Sequence, residues 1–335
     1  MLAGMSQKKT TFGLTLSNRA LVTLGTKPKE LIEMAIQAEN TGAIEAIWVG
    51  DSILSKPRLE CIPLLGAIAA HTSRVKLGVA CMATIAQRNP VLLALQWASL
   101  DVLSGGRTWL AACMGYPASQ HRMAAKELEV MGVESKERPV RLEEMIQALK
   151  ILWSDEHASF HGTYYSFDDV NLLPKPAQQP CPIYIAGTPR STQIGDRGVE
   201  RSLRRIARFA DGWMTNQIEL ERFRDYLGRL QDMLVEEGRD PNAFKTILYY
   251  GICVNADPEQ AFCQAKTFLD AYYQKEFTRQ GVQIWNACGP VEHCVESVRG
   301  FIDAGVDHVT IRPIGDDLSE QLRIYLKEVL PTLDS

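Results

Sequence analysis

Residues 75–113 read VKLGVACMATIAQRNPVLLALQWASLDVLSGGRTWLAAC, and this stretch decides the fold. It opens with a short apolar run over residues 75–80 and closes with another over residues 109–113. Between them, Asn89 with Pro90 is typical of a helix start, and Gly105 with Gly106 is typical of a helix end. Two short strands joined by one helix form the repeating unit of a parallel sheet.

The same alternation continues from residue 12 almost to the end of the chain. The predicted strands are residues 12–16, 46–49, 75–80, 109–113, 183–186, 212–215, 246–254 and 308–311. Eight strands, each followed by a helical stretch and with no Gly/Ser linker between them, predict one α/β domain over residues 1–335, a (β/α)8 TIM barrel. A doubly wound parallel sheet is the alternative fold.

Two stretches are longer than a simple connection requires. Residues 116–137 follow strand four, and residues 154–180 carry Tyr164, Tyr165 and the run Pro174-Lys175-Pro176. The sequence thus predicts a barrel with long loops after strands four and five. Loops of this length in a compact domain usually form lids or binding elements, and a plain surface excursion is the alternative.

Bulk composition excludes several classes of partner. The 335 residues are 46% hydrophobic and 23% charged, with a formal net charge of −4 and a sequence pI near 5.9. Lys and Arg are scattered among carboxylates, so we expect neither nucleic acid nor an anionic membrane as a partner. Residues 1–10 lack the apolar core of a secretory signal, and the eight cysteines have no zinc spacing. We therefore expect a cytoplasmic protein whose cysteines are buried free thiols.

Barrel active sites lie just after the strands. The residues at these positions, which include Arg19 after strand one and Arg312 after strand eight, are mostly neutral. Asp51 is the only carboxylate among them, and a turn-forming role is the alternative for that side chain. No His/Asp/Glu cluster predicts a metal, and no carboxylate pair predicts glycoside hydrolysis. A strand-end lysine for an aldolase is also missing. The run Gly50-Asp51-Ser52 resembles a serine esterase start, but Gly305 stands three residues before His308, where the esterase needs its aspartate.

The residues after strand five are the best candidates for a phosphate site. Gly187, Thr188, Arg190 and Ser191 combine backbone amides, hydroxyls and a guanidinium before a helix, although a plain turn fits them equally. The chain has no GxGxxG and no GxxxxGK[ST], so it lacks its own dinucleotide and nucleoside triphosphate fingerprints.

Seven stretches, in this order along the chain, resemble the luciferase-like monooxygenase superfamily, which includes bacterial luciferase and deazaflavin-dependent oxidoreductases. They are 48–52 (WVGDS), 74–78, 88–90 leading to 100–107, 138–153, 160–164, 174–187 and 210–213 (ADGW). Each stretch is short, and the resemblance rests on all seven occurring in the same order as in the family.

The resemblance implies a barrel that holds a reduced flavin or deazaflavin at the carboxyl ends of its strands. It implies that strand three bulges beneath the ring at Ala80 and Cys81, with Asp51 nearby as the catalytic candidate, and that the cofactor phosphate lies near the strand-five loop. The cofactor-binding candidates are Ala80, Cys81, Met114, Gly115, Gly187, Thr188, Arg190, Ser191 and Thr215. The substrate-binding candidates are Asn18, Tyr116 and His121.

This sequence departs from the family after strand five, where two successive glycines are common. Here Thr188 and Pro189 follow Gly187, and an insertion over residues 191–200 is expected to delay the next helix. Since Pro189 supplies no amide, Thr188, Arg190 and Ser191 side chains are expected to contact the phosphate instead.

Three functions follow from the resemblance. The first is a monooxygenase that uses dioxygen, a small organic substrate and FMN reduced by a separate flavin reductase. The second is a dehydrogenase or reductase that transfers hydride with the deazaflavin coenzyme F420, and the third is a flavin-binding protein without turnover. A homodimer is expected from the resemblance alone.

Overall fold

Eleven strands are present in residues 9–334, the part of the chain that the computed structural model describes. Residues 1–8, which belong to the segment predicted to lack a secretory signal, lie outside it. The strands are β1 (Thr11–Thr15), β2 (Ile44–Val49), β3 (Lys76–Met82), β4 (Thr108–Ala112), β5 (Ala158–His161), β6 (Ser166–Val170), β7 (Ile183–Ala186), β8 (Gly212–Thr215), β9 (Lys245–Val254), β10 (Asn286–Gly289) and β11 (His308–Pro313).

Eight of these strands close into a parallel ring, in the order β1, β2, β3, β4, β7, β8, β9 and β11. The pairing of β11 with β1 joins the two ends of the chain, with Phe12 opposite Val309. The ring confirms the predicted (β/α)8 barrel, and each of the eight predicted strands coincides with a ring strand. Active sites of this architecture lie at the carboxyl ends of the ring strands.

Helices surround the ring and bury apolar faces against it. They are α1 (Ala20–Thr23), α2 (Pro28–Asn40), α3 (Cys61–His71), α4 (Pro90–Ser104), α5 (Arg122–Val130), α6 (Arg138–Ser154), α7 (Ser191–Phe209), α8 (Leu220–Glu236), α9 (Pro258–Tyr273), α10 (Arg279–Gln283), α11 (Val291–Asp303), α12 (Leu318–Ile324) and α13 (Leu330–Asp334). The Asn89 side chain accepts the amide of Leu92 to start α4, and Gly105 ends that helix in a left-handed conformation.

Bulky side chains fill part of the barrel interior. Trp48 and Trp109 lie 5.7 Å apart between ring centroids, and the His308 ring is 5.3 Å from Trp109. His308 is fully buried and accepts the Trp48 indole N–H at 3.2 Å, while burial lowers the pKa of the imidazole. A Cβ at Gly78 would come 2.1 Å from the Trp48 ring, so glycine makes room for the indole there.

Three features of the connections differ from the sequence-based expectation. Residues 154–180 lie before the fifth ring strand, β7, and form the β5–β6 hairpin. The insertion after β7 does not delay the helix, because α7 begins at Ser191 and is only kinked at Gly195, where φ is +67°. The short strand β10 was not predicted, and it pairs with β9 outside the ring.

The cysteine prediction is wrong at four positions, one of which is Cys288, a free thiol that is only partly buried. Cys81 and Cys113, at the ends of neighbouring strands, are joined by a disulfide, and Cys263 is exposed. Cys61, Cys181, Cys253 and Cys294 are buried free thiols as expected. Across residues 9–334, no helix combines the length and apolarity that crossing a bilayer requires.

Candidate active site

The third ring strand is irregular at its carboxyl end. Ala80 pairs with Ala111 and Met82 pairs with Ala112, so Cys81 is the extra residue of a bulge, and the Ala80–Cys81 peptide bond is cis. The bulge predicted around Ala80 and Cys81 is confirmed. Bulges next to active sites redirect the strand and its side chains, and here both residues stay partly exposed at the barrel mouth.

Asp51 follows β2 and holds the segment after this bulge. Its Oδ2 accepts the Thr84 amide at 2.9 Å and the Thr84 hydroxyl at 2.6 Å. Its Oδ1 accepts Nη2 of Arg88 at 2.9 Å, and the residue is only 5% exposed. Both oxygens of Asp51 are therefore engaged by protein donors, which is the arrangement of a residue that positions its neighbours.

Asp51, Glu60 and Cys61 also bring three potential metal-ligand atoms within 4.8 Å of one another. A cation is already present, because Nη2 of Arg88 lies 2.9 Å from both Asp51 and Glu60. Burial, together with the two carboxylates, raises the pKa of Cys61 well above its usual value, so its thiol stays protonated. This donor set fits the guanidinium of Arg88 better than a metal ion that requires a thiolate.

The fourth strand ends in a tight turn beside the bulge. Gly115 has φ of +73°, and a Cβ on it would come 2.7 Å from the carbonyl oxygen of Ala83. Arg138, at the start of α6, donates Nη1 to the carbonyls of Met114 at 2.7 Å and Tyr116 at 2.9 Å. Arg138 thus holds the backbone on both sides of Gly115, in the segment that contains the candidate ring-binding residues Met114 and Gly115.

The candidate phosphate-binding residues meet at the ends of β7 and β8. The Thr188 and Thr215 hydroxyls are 2.8 Å apart, and Arg190 donates Nη2 to the carbonyl of Gln217 at 2.8 Å. The space that a Cβ on Gly187 would occupy has no atom within 4 Å, and Ser191 starts α7. Two hydroxyls and a guanidinium therefore lie at these strand ends next to the start of α7, and they bond one another or the carbonyls of Asn216 and Gln217.

Asn18 is not free to bind a substrate. It is fully buried, its Nδ2 donates to the carbonyls of Gly50 at 2.8 Å and Leu59 at 3.1 Å, and its Oδ1 accepts the Gly50 amide at 3.0 Å. The predicted substrate contact of Asn18 is not supported, since the amide is consumed in fastening β1 to the loop after β2.

The other two substrate-binding candidates lie together. The Tyr116 and His121 rings are 5.5 Å apart and edge to face. Nδ1 of His121 accepts the Ala124 amide at 3.2 Å. Burial first, and then the Lys56 and Arg19 charges, lower the pKa of His121, so the imidazole is neutral and carries its hydrogen on Nε2.

Lys56, Arg58, Tyr273 and Lys275 were missed as candidates, and Arg19 and Arg312 were only noted as strand-end residues. Nζ of Lys56 lies 4.6 Å from the centroid of the Tyr116 ring, and Nζ of Lys275 donates to the Tyr116 hydroxyl at 3.4 Å. These side chains come from loops far apart in the sequence, and only the closure of the ring brings them together.

The closed parallel barrel, with its third strand bulged at the carboxyl end, has the architecture of a (β/α)8 enzyme. The chain belongs to the luciferase-like monooxygenase family, whose sequence model matches residues 10–308. It is accordingly an enzyme.

Two named relatives align with almost the whole chain. The chain is 25% identical to an F420-dependent glucose-6-phosphate dehydrogenase of Kineococcus radiotolerans, with 91% of this chain and 93% of that protein covered. A protein of the same name from Nakamurella multipartita is 26% identical, again over 91% and 93%.

Two solved structures share the fold. An F420-dependent secondary alcohol dehydrogenase, in complex with an F420-acetone adduct, superimposes with a TM-score of 0.79 at 20% identity over 97% and 99% of the two chains. The monooxygenase RslO1 from Streptomyces bottropensis gives a TM-score of 0.77 at 18% identity, over 96% and 99%.

Proposed function

We propose that this protein is an F420-dependent oxidoreductase that transfers a hydride between F420 and a small organic substrate at the barrel mouth. The supporting observation is that F420-dependent dehydrogenases align with 91% of the chain. This favours the hydride-transfer alternative over the FMN monooxygenase that the sequence placed first. A separate flavin reductase would not be needed in a reaction where F420 receives the hydride of the substrate.

The residues at the mouth fit such a coenzyme. Small, partly exposed residues, Ala80, Cys81 and Ala186, line the ends of β3 and β7, and Gly187 adjoins open space. Small side chains at these strand ends leave room for a planar ring. We assign the coenzyme phosphate to Arg190, Ser191 and the hydroxyls of Thr188 and Thr215. To donate there, the Thr188 hydroxyl exchanges its present bond to the carbonyl of Asn216 for one to the phosphate.

When bound, F420 accepts or supplies a hydride, and the chain contributes binding, orientation and exclusion of water. His121 presents its Nε2–H as a donor beside Tyr116, in a position suited to a substrate oxygen. We assign Asp51 a positioning role, since it accepts hydrogen bonds from Thr84 and Arg88 in the segment that follows the bulge. A homodimer stays a prediction that sedimentation velocity would test.

The test is equilibrium binding of F420 and of FMN to the purified chain, followed by fluorescence. We expect F420 to bind at least tenfold more tightly than FMN. We also expect Thr188→Val to weaken F420 by roughly fivefold, because a neutral hydrogen bond contributes about 1 kcal/mol. Thr41→Val is the matched control, since Thr41 bonds only the turn after α2.

Two outcomes would overturn the proposal. Tight FMN binding without F420 binding, together with oxygen uptake driven by reduced FMN, would restore the monooxygenase assignment. F420 binding without reduction by any alcohol or aldehyde in a broad panel would favour the protein without turnover.

A further inference from the structure

Five cationic side chains gather where β1, β2 and β11 end, together with the loop after α9. They are Arg19, Lys56, Arg58, Lys275 and Arg312. Lys56 and Arg312 both lie over the Tyr273 ring, and Arg312 also faces the ring of Tyr272, whose hydroxyl accepts the Arg19 amide, so these three share one group of aromatic residues. Repulsion from the other four cations contributes to the low pKa of Lys56. Among residues 9–334, no carboxylate lies within 4.0 Å of any of them, whereas the partly buried Arg88 pairs with two carboxylates.

Arg312 is the innermost member of the cluster. It lies on the same face of β11 as His308, which fills the barrel interior, and it is 1% exposed. Its Nη1 donates to the Tyr273 hydroxyl at 2.7 Å, and its guanidinium carbon is 4.7 Å from the centroid of the Trp285 ring. Its Nε and Nη2 have no hydrogen-bond partner within the described part of the chain.

Arg19 also has buried donor nitrogens without hydrogen-bond acceptors. It follows β1, is 2% exposed, and donates Nη2 to the side-chain oxygen of Gln274 at 3.0 Å. Its Nε and Nη1 find no partner among residues 9–334. Two buried guanidinium groups therefore retain four unused donor nitrogens.

Lys56 connects these groups to the substrate-binding candidates. Its Nζ is 5.1 Å from the centroid of the Tyr273 ring, the residue whose hydroxyl bonds Arg312. Its position is fixed because Glu127 accepts the amides of the preceding residues Leu54 and Ser55 at 2.6 and 2.8 Å. Burial, followed by the neighbouring cations, lowers the pKa of Lys56 to about 7.

Aromatic rings offset the buried positive charge of the cluster only in part. The rings of Tyr249, Tyr272, Tyr273 and Trp285 around Arg312 attract a cation through their faces. A ring face cannot accept the in-plane hydrogen bonds that a guanidinium offers, and a buried charge without a hydrogen-bonded counter-ion is strongly destabilising. If Arg312 and Arg19 had only a structural role, their free N–H groups would stay buried without hydrogen-bond acceptors.

We propose that Arg19, Lys56 and Arg312 form an anion-binding subsite that holds a carboxylate or phosphate group of the substrate. This inference rests on the proposed function, because it assumes an organic substrate at the barrel mouth. Carboxylate and phosphate oxygens match the planar forks of two guanidinium groups. Arg58 and Lys275 add positive charge at the border of the subsite.

The subsite is distinct from the residues assigned to the coenzyme phosphate. In the ring, β1 and β7 are separated by three strands in either direction, so they stand opposite each other. Arg19 follows β1, whereas Gly187 to Ser191 follow β7. An anionic substrate group and the coenzyme phosphate can therefore be bound at the same time, on opposite sides of the mouth.

The experiment measures the binding of inorganic phosphate and of oxalate to the coenzyme-free chain by titrating its thermal stability, with sodium chloride at matched ionic strength as the reference. Lys56→Met and Arg19→Gln each remove one donor group of the subsite. Lys76→Met is the matched control, because Lys76 begins β3 at the opposite end of the barrel and its Nζ donates to Gly106. The titrations are repeated with saturating F420.

We expect phosphate or oxalate to stabilise the wild type and Lys76→Met equally, and each subsite variant to bind at least tenfold more weakly. The proposal is overturned if neither anion stabilises the wild type beyond chloride, or if both subsite variants keep full affinity. Loss of anion binding under saturating F420 would also overturn it, since the coenzyme's own acidic group would then occupy the subsite. Anion binding without any F420 binding would instead refute the proposed function and leave the subsite standing.

Discussion

Replacing Asp51 by asparagine distinguishes the positioning role from the catalytic one that the sequence predicts. Asparagine keeps one acceptor oxygen for Thr84 but turns an amide N–H2 toward Nη2 of Arg88, where Oδ1 now accepts at 2.9 Å. Losing one partner of a buried ion pair costs roughly 3–5 kcal/mol. Because Arg88 remains paired with Glu60, we expect about 2–3 kcal/mol, nearer a single charge-assisted hydrogen bond.

This loss translates into a measurable shift of the melting temperature. Unfolding entropy of about 2.1 cal/mol/K per residue over 335 residues converts it to roughly 3–4 °C. Calorimetry of the coenzyme-free protein would measure the shift, with Asp232→Asn as the control because Asp232 is exposed on α8. An unchanged melting temperature, combined with at least a tenfold loss of turnover per folded molecule (about 1.4 kcal/mol), would refute the positioning role.

Two further predictions concern the mouth. Gly115→Ala should lower the melting temperature and weaken F420 binding, because φ is +73° and the new Cβ would lie 2.7 Å from a backbone oxygen, whereas Gly228→Ala, in open space on α8, should stabilise the protein; equal effects in calorimetry would contradict this. Lys56→Met should raise the melting temperature more at pH 6 than at pH 9. The pKa of Lys56 is lowered to about 7, so the unfolded chain binds the proton more readily, and the folded state is penalised most below pH 7. Equal changes in melting temperature at both pH values would show that the pKa of Lys56 is not lowered in the folded protein.

The sequence predicts the barrel well because each ring strand is a short apolar run between recognisable helix ends. Two strands, β7 and β8, have the predicted bounds. The hairpin of β5 and β6 was missed because its strands are short and mostly polar, as in the run SFDDV. The strand β10 contains Asn286 and Gly289, which are uncommon in strands, so only its pairing with β9 reveals it.

The site was predicted less completely, for reasons of distance along the chain. The bulge at Ala80 and Cys81 followed from the family resemblance, but the partner of Asp51 proved to be Arg88, 37 residues away on the next loop. Arg19 and Arg312 stood among the strand-end residues. The sequence does not show that both guanidinium groups lack hydrogen-bond acceptors. That property depends on how deeply the side chains are buried and on which side chains the neighbouring loops bring close, and both follow from the pairing of the last strand with the first.

The strand β10 has a consequence for how this scaffold can diversify. Within residues 9–334 it pairs with β9 alone and is not a member of the closed ring, so the register of the eight ring strands does not depend on it. The segment between α9 and β10, which carries Gln274 and Lys275, can therefore change in sequence without altering the pairing of the ring strands. Exchanging this segment between related enzymes should alter which molecules are accepted while leaving the barrel intact, which makes it a natural module for evolution and for engineering.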